Sequence, residues 1–161
     1  MSEVKEKLSN LIKEQNLNLF DGPFVVKNFL KNVEDYLNWN TLNEAINNDV
    51  VEWRLIEEES NNKNFVVPWK LPFWTNLRQQ DKQFIIDYVN NGSPFVIERC
   101  CILNDNFKSL TSDIQEAFHV ASDIHIYGSK GTDSKSFLYH SDRPNNFIIQ
   151  AEGDTDWIVF K

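Results

Sequence analysis

Hydrophobic residues recur at helical spacing from the start of the chain. Val4, Leu8, Leu11 and Ile12 share one face over residues 2–15, with Ser2 placed as a cap and Glu3 and Glu6 near the positive end of the dipole. This pattern predicts a docking helix. Asp21-Gly22-Pro23 then punctuates the chain, Phe24-Val25-Val26 reads as a short strand, and Phe29-Leu30 leads into an aromatic-rich helix that closes near Asn47-Asn48-Asp49. Period two over residues 51–56 predicts a half-buried strand, and the polar run 57–64 predicts an exposed loop. The two prolines and two tryptophans of residues 68–74 suit an irregular segment laid over a hydrophobic surface, or the lining of a groove.

Phe84, Ile85, Tyr88 and Val89 restore helical spacing over residues 81–89, and Asn90-Asn91-Gly92-Ser93-Pro94 stops that helix before an apolar strand at 95–103. A further helix is expected from Thr111 or Ser112 to about Phe118, with Ile114 and Phe118 on one face. Beyond Ser122 the dominant period is two. Strands are predicted at 124–127, 136–140, 146–150 and 157–160, separated by Gly, Asp, Ser and Pro clusters. The expected fold is α+β: one domain over residues 1–161, helix-rich over 1–121 and β over 122–161.

Composition narrows the functional classes. The chain has 161 residues, 41% of them apolar, enough for one domain with a core. Sixteen Lys and Arg against 24 Asp and Glu give a net charge of −8, which disfavours phosphate backbones and anionic membranes as partners. Cys100 and Cys101 are adjacent and no C-x-x-C spacing occurs, so a reducing cytoplasm is the expected setting. Neither an apolar signal core nor eighteen consecutive apolar residues occurs, so neither secretion nor membrane spanning is expected.

Chemistry enters with Phe137-Leu138-Tyr139-His140-Ser141-Asp142. On a strand, residues two apart project to the same face, so an imidazole and a carboxylate converge and offer nitrogen and oxygen to a divalent ion. A second histidine added to such a pair gives the facial triad of non-heme Fe(II) oxygenases. Three residues alone recur by chance, and the same pair suits the solvated edge of a strand, so the neighbouring residues decide its meaning.

Those neighbours are Ile126-Tyr127-Gly128, Ser136-Phe137-x-x-His140-x-Asp142, Asn146-Phe147-x-x-Gln150-x-x-Gly153 and Trp157. Over residues 123–161 the series resembles the cupin-like branch of the JmjC oxygenases, in particular the factor-inhibiting-HIF-like asparaginyl hydroxylases. The resemblance implies a partial double-stranded β-helix of the cupin or jelly-roll kind with helices packed around it, Fe(II) as metal and 2-oxoglutarate as co-substrate. It implies hydroxylation of a C–H bond on a protein, peptide or small molecule. His140 and Asp142 match the first two iron ligands. Asn146 matches a residue lining the co-substrate pocket, Tyr127 an aromatic that binds its carboxylate in some relatives, and Thr155 the position of the family's carboxylate-pairing lysine.

The pattern departs from the family in three places. No histidine follows His140, Phe137 replaces a threonine, and Thr155 can hydrogen-bond a carboxylate without supplying charge. His125, on the preceding strand, is an alternative third metal ligand; its other reading is a pocket or core histidine bonded to a neighbour. His119 reads as a helix cap, Arg143 as a turn residue within reach of a bound acid, and Gln150 and Trp157 as inward-facing strand residues. Two functional expectations follow: an oxygenase truncated after the first half of its metal motif, or a shortened, non-catalytic cupin-like protein for binding or self-assembly. The apolar stretch ending at Phe160 leaves an exposed β edge, through which a homo-oligomer is expected.

Overall fold

Helices form where the sequence pairs an apolar stripe with a capping side chain. The computed structural model describes residues 2–14, 23–59, 62–66, 69–70, 79–131 and 140–160. Helix α1 spans Glu3–Glu14, and Ser2 caps it by accepting from the Lys5 N–H at 3.1 Å while donating to Asp113. Helix α2, Trp39–Ile46, follows a 3-10 turn at Val33–Asp35 and opens on a capping box between Asn38 and Thr41. Helix α3 is Lys82–Asn90, capped by Asp81, and α4 is Asp105–Phe118, capped by Asn104.

Among the described residues six strands accompany them: β1 Glu52–Glu59, β2 Asn62–Val66, β3 Trp69–Lys70, β4 Gln79–Gln80, β5 Phe95–Glu98 and β6 Ile126–Gly128. Four form one antiparallel sheet in the order β2-β1-β5-β6, and β3 pairs with β4 separately. The register sets Trp53 opposite Ile97 and Ile97 opposite Ile126, so these side chains share one face. There they meet Ala45 of α2, Ile85 of α3 and Phe107 of α4 in the main buried cluster. Val4 and Leu8 of α1 pack with Leu110 of α4 in a second cluster, and Tyr36 and Ile124 touch both. Each such side chain, fully buried, contributes roughly 1.5–3 kcal/mol. The fold is α+β.

Several expectations are corrected. Of the run 57–64, expected as a loop, residues 57–59 continue β1 and residues 62–64 belong to β2, which pairs with it antiparallel. The strand expected over 95–103 stops at Glu98, because Arg99 takes a left-handed conformation at φ 63° and turns the chain into a 3-10 helix at Cys100–Ile102. Helix α4 starts at Asp105, six residues before the expected Thr111. Residues 24–26 form no strand, and α2 begins at Trp39 rather than near Phe29. Of residues 68–74 only Trp69–Lys70 is described, as β3.

The largest correction concerns the end of the chain. Residues 140–160 hold no regular secondary structure, so no strands form at 146–150 or 157–160; residues 136–139 lie outside the described residues. Gln150 and Trp157, expected to face inward, are exposed, Trp157 at 62%. Period two identifies residues that suit a strand, but a strand exists only where a neighbour completes its ladder. The described sheet ends at β6 and does not extend to these residues. Among the described residues no helix is long and apolar enough to cross a membrane.

Candidate functional site

His140 and Asp142 do converge, though not on a strand. His140 Nε2 lies 3.6 Å from Asp142 Oδ1, and both side chains are about half exposed. The other carboxylate oxygen, Oδ2, accepts a hydrogen bond from Asn146 Nδ2 at 2.7 Å. The chain bends at Arg143-Pro144 between them. Proline fixes its own φ and disfavours helix in the residue before it, so this dipeptide holds a turn that returns Asn146 to Asp142.

The rest of the motif has local structural causes. Phe147 stacks on Phe118 at the end of α4, with ring centroids 4.9 Å apart, and this contact seats the segment against the helical part. Gln150 Nε2 donates to the Glu152 carbonyl at 2.8 Å across a turn in which Gly153 adopts φ +69°. No atom lies within 4 Å of where a Cβ on Gly153 would be, so the glycine answers a backbone conformation rather than a lack of room. Thr155 is exposed in the same segment.

Tyr127 stands on the sheet face opposite the main core, across from Val96, which in turn faces Arg54. Partial desolvation of the hydroxyl, then the carboxylates of Asp142 and Glu98, hold its pKa above the usual phenol value. Tyr127 and Asp142 thus lie within each other's field. Arg54 on this face reaches Glu98 at 2.9 Å and Glu52 at 3.6 Å, while Arg99 approaches Glu52 at 3.9 Å. This balanced network beside Tyr127 escaped the sequence reading; its signal was the alternation of Glu52 and Arg54 with Trp53 and Leu55.

His125 is placed elsewhere. Its Nε2 lies 3.6 Å from Asp123 Oδ2, and its ring centroid is 6.4 Å from that of Tyr127. Asp123 also accepts from the Ile124 N–H at 2.7 Å, and burial and then this carboxylate hold the Cys101 thiol above its ordinary pKa. Among the described residues no three of His, Cys, Asp and Glu come together to hold a metal, so His125 does not join His140 and Asp142. His125 is exposed, with Asp123 as its near neighbour, so it is not the core histidine of its alternative reading. His119 is the C-cap of α4 at φ 54°, exposed and remote in role from either pair.

Two donors bound at right angles to one metal lie about 3 Å apart. At 3.6 Å the His140–Asp142 pair is a few tenths of an ångström wider. The two side chains fit as neighbouring ligands of a divalent ion, and Asn146 leaves the nearer carboxylate oxygen unengaged by its amide. No protein-family model, curated protein or solved structure matches the chain.

Proposed function

We propose that the chain provides His140 and Asp142 as two ligands of an Fe(II) site in a 2-oxoglutarate-dependent hydroxylase of the cupin-like JmjC type. The observation that carries this reading is the convergence of His140 Nε2 and Asp142 Oδ1 within the motif that resembles the family. Fe(II), 2-oxoglutarate and dioxygen would together supply the hydroxylation of a substrate C–H bond, one oxygen atom going to the substrate and the other to the succinate left when the co-substrate loses carbon dioxide. The chain's own groups bind and orient. His140 Nε2 and Asp142 Oδ1 hold the ion, the protonated Tyr127 phenol donates to a co-substrate carboxylate, and Thr155 adds a hydroxyl donor. In this reading residues 146–150 and 157–160, which form no strand here, would pair as strands of a double-stranded β-helix only where a neighbouring strand is supplied. Support comes from the exposed Ile148, Ile149, Ile158 and Val159, an apolar run that strand pairing would bury. A cytoplasmic setting suits the two free cysteines.

The test is metal content and 2-oxoglutarate decarboxylation in the purified chain and in His140→Ala. Metal-dependent turnover that His140→Ala removes supports the reading. Equal metal content in both proteins sinks it.

The same exposed residues favour a second reading, a non-catalytic cupin-like protein that self-assembles through its β edge. Sedimentation across a concentration series separates the two. A monomer at every concentration removes this second reading, and association without metal binding removes the first.

A further inference from the structure

We infer that Asn146 is the positioning residue of the His140–Asp142 pair, holding the Asp142 carboxylate so that Oδ1 alone is presented beside His140 Nε2. The inference rests on the reading of that pair as metal ligands. Asp142 is half exposed, and its side chain would otherwise rotate freely and could offer either oxygen, or both, to a cation. The Asn146 amide removes that freedom by donating to Oδ2 at 2.7 Å, a charge-assisted bond to an ionised acceptor. The carboxylate is left with one oxygen for the ion, 3.6 Å from the imidazole nitrogen.

The residue type matters as much as its place. A lysine or arginine at position 146 would neutralise Asp142 and compete with the cation for it; a neutral amide orients the carboxylate and leaves its charge for the metal. The bend at Arg143-Pro144 sets the four-residue reach that a side chain as short as asparagine spans. The family resemblance implies a co-substrate pocket role for Asn146. Its amide nitrogen is instead engaged with Asp142, so its action on the site passes through that carboxylate.

The test uses the full chain with Co(II) alone as probe, followed through the visible absorption of the bound ion. Asn146→Ala is expected to weaken Co(II) binding about ten- to a hundredfold, the usual effect of losing a partner that orients a metal ligand. Asn146→Ser, which keeps a hydroxyl donor, recovers part of the loss, and Asn145→Ala, an exposed neighbour, binds as the wild type does. Unchanged circular dichroism in each variant separates ligand positioning from misfolding. In nuclear magnetic resonance spectra of the metal-free chain, the Asn146 side-chain amide protons should shift on Asp142→Ala. Co(II) binding by Asn146→Ala equal to wild type, or an amide signal unmoved by Asp142→Ala, overturns the inference alone. A wild-type chain that binds no Co(II) overturns it together with the proposed function.

Discussion

The chain contains two histidine–aspartate pairs of the same spacing and the same separation. Asp123 and His125 lie 3.6 Å apart beside β6, and His140 and Asp142 lie 3.6 Å apart in the exposed segment near the C-terminus. Their surroundings differ. Asp123 accepts from the Ile124 N–H through Oδ1, and the backbone next to it is tied into the core where the Cys100 N–H donates to the Ile124 carbonyl at 2.9 Å. Asp142 is engaged at Oδ2 by Asn146 and turns Oδ1 to His140. Spacing makes both pairs. Each carboxylate gives one oxygen to a hydrogen-bond donor and turns the other to its histidine. What separates the pairs is therefore the backbone that carries them: Asp123 and His125 adjoin β6 and the core, while His140 and Asp142 lie in a segment without regular secondary structure.

The largest expected effect breaks the packed side of that comparison. Ile97→Ala removes a fully buried side chain that faces Ile126, and it should cost about 2–5 kcal/mol in urea unfolding. Ile148→Ala, at a position 56% exposed, should stay within about 0.5 kcal/mol. Similar costs for the two would mean that residues 140–160 are packed as firmly as the sheet.

Exchanging the carboxylates sharpens the contrast. Asp123→Ala removes the acceptor of the Ile124 amide and should cost about 0.5–1.5 kcal/mol of stability. Asp142→Ala should cost less than about 0.5 kcal/mol yet abolish Co(II) binding, which Asp123→Ala leaves intact. Loss of metal binding in Asp123→Ala would erase the distinction between the pairs.

Alkaline pH acts most strongly on the Asp123 side, and on the other side through the Tyr127 phenol, which burial and then Asp142 hold above its ordinary pKa. Burial pushes the Cys100 thiol up to about 12, and burial with the Asp123 carboxylate pushes Cys101 up to about 11, both from an ordinary value of 9.0. The unfolded chain therefore loses these protons first, and stability is fully present below about pH 9 and falls as the pH rises from there through 11 and 12. Urea midpoints at pH 8 and pH 10.5 should differ in that direction, and replacing both cysteines with alanine should flatten the difference. The smallest effect serves as a control that touches neither pair: His119→Gly relieves a left-handed cap and should raise stability by about 0.5–1 kcal/mol without changing metal binding.

The sequence made α1 and α3 legible because cap and stripe agree there: Ser2 with Val4 and Leu8, Asp81 with Ile85. It concealed the start of α4, because Asn104-Asp105-Asn106 has the composition of a turn while Asn104 in fact caps the helix through the Phe107 amide. The hairpin of β1 and β2 was hidden for a related reason. Polarity over residues 57–64 marks contact with water, whereas strand formation is decided by ladder hydrogen bonds that side-chain polarity does not report. At the site, the proximity of His140 to Asp142 was legible from their spacing. The role of Asn146 was not, because it depends on the bend at Arg143-Pro144, and the Arg54–Glu98 network depends on a register between strands more than forty residues apart in sequence.

Gly128 faces Phe95 directly across the β5–β6 ladder, and a Cβ at 128 would lie 2.5 Å from the Phe95 ring. The phenyl group fills the space a side chain would have taken and shields the weakest residue of a three-residue strand. The consequence is epistasis. A methyl at 128 is damaging while Phe95 is present and becomes tolerable once Phe95 is made small, so positions 95 and 128 vary as one unit and a double-mutant cycle between them will not add.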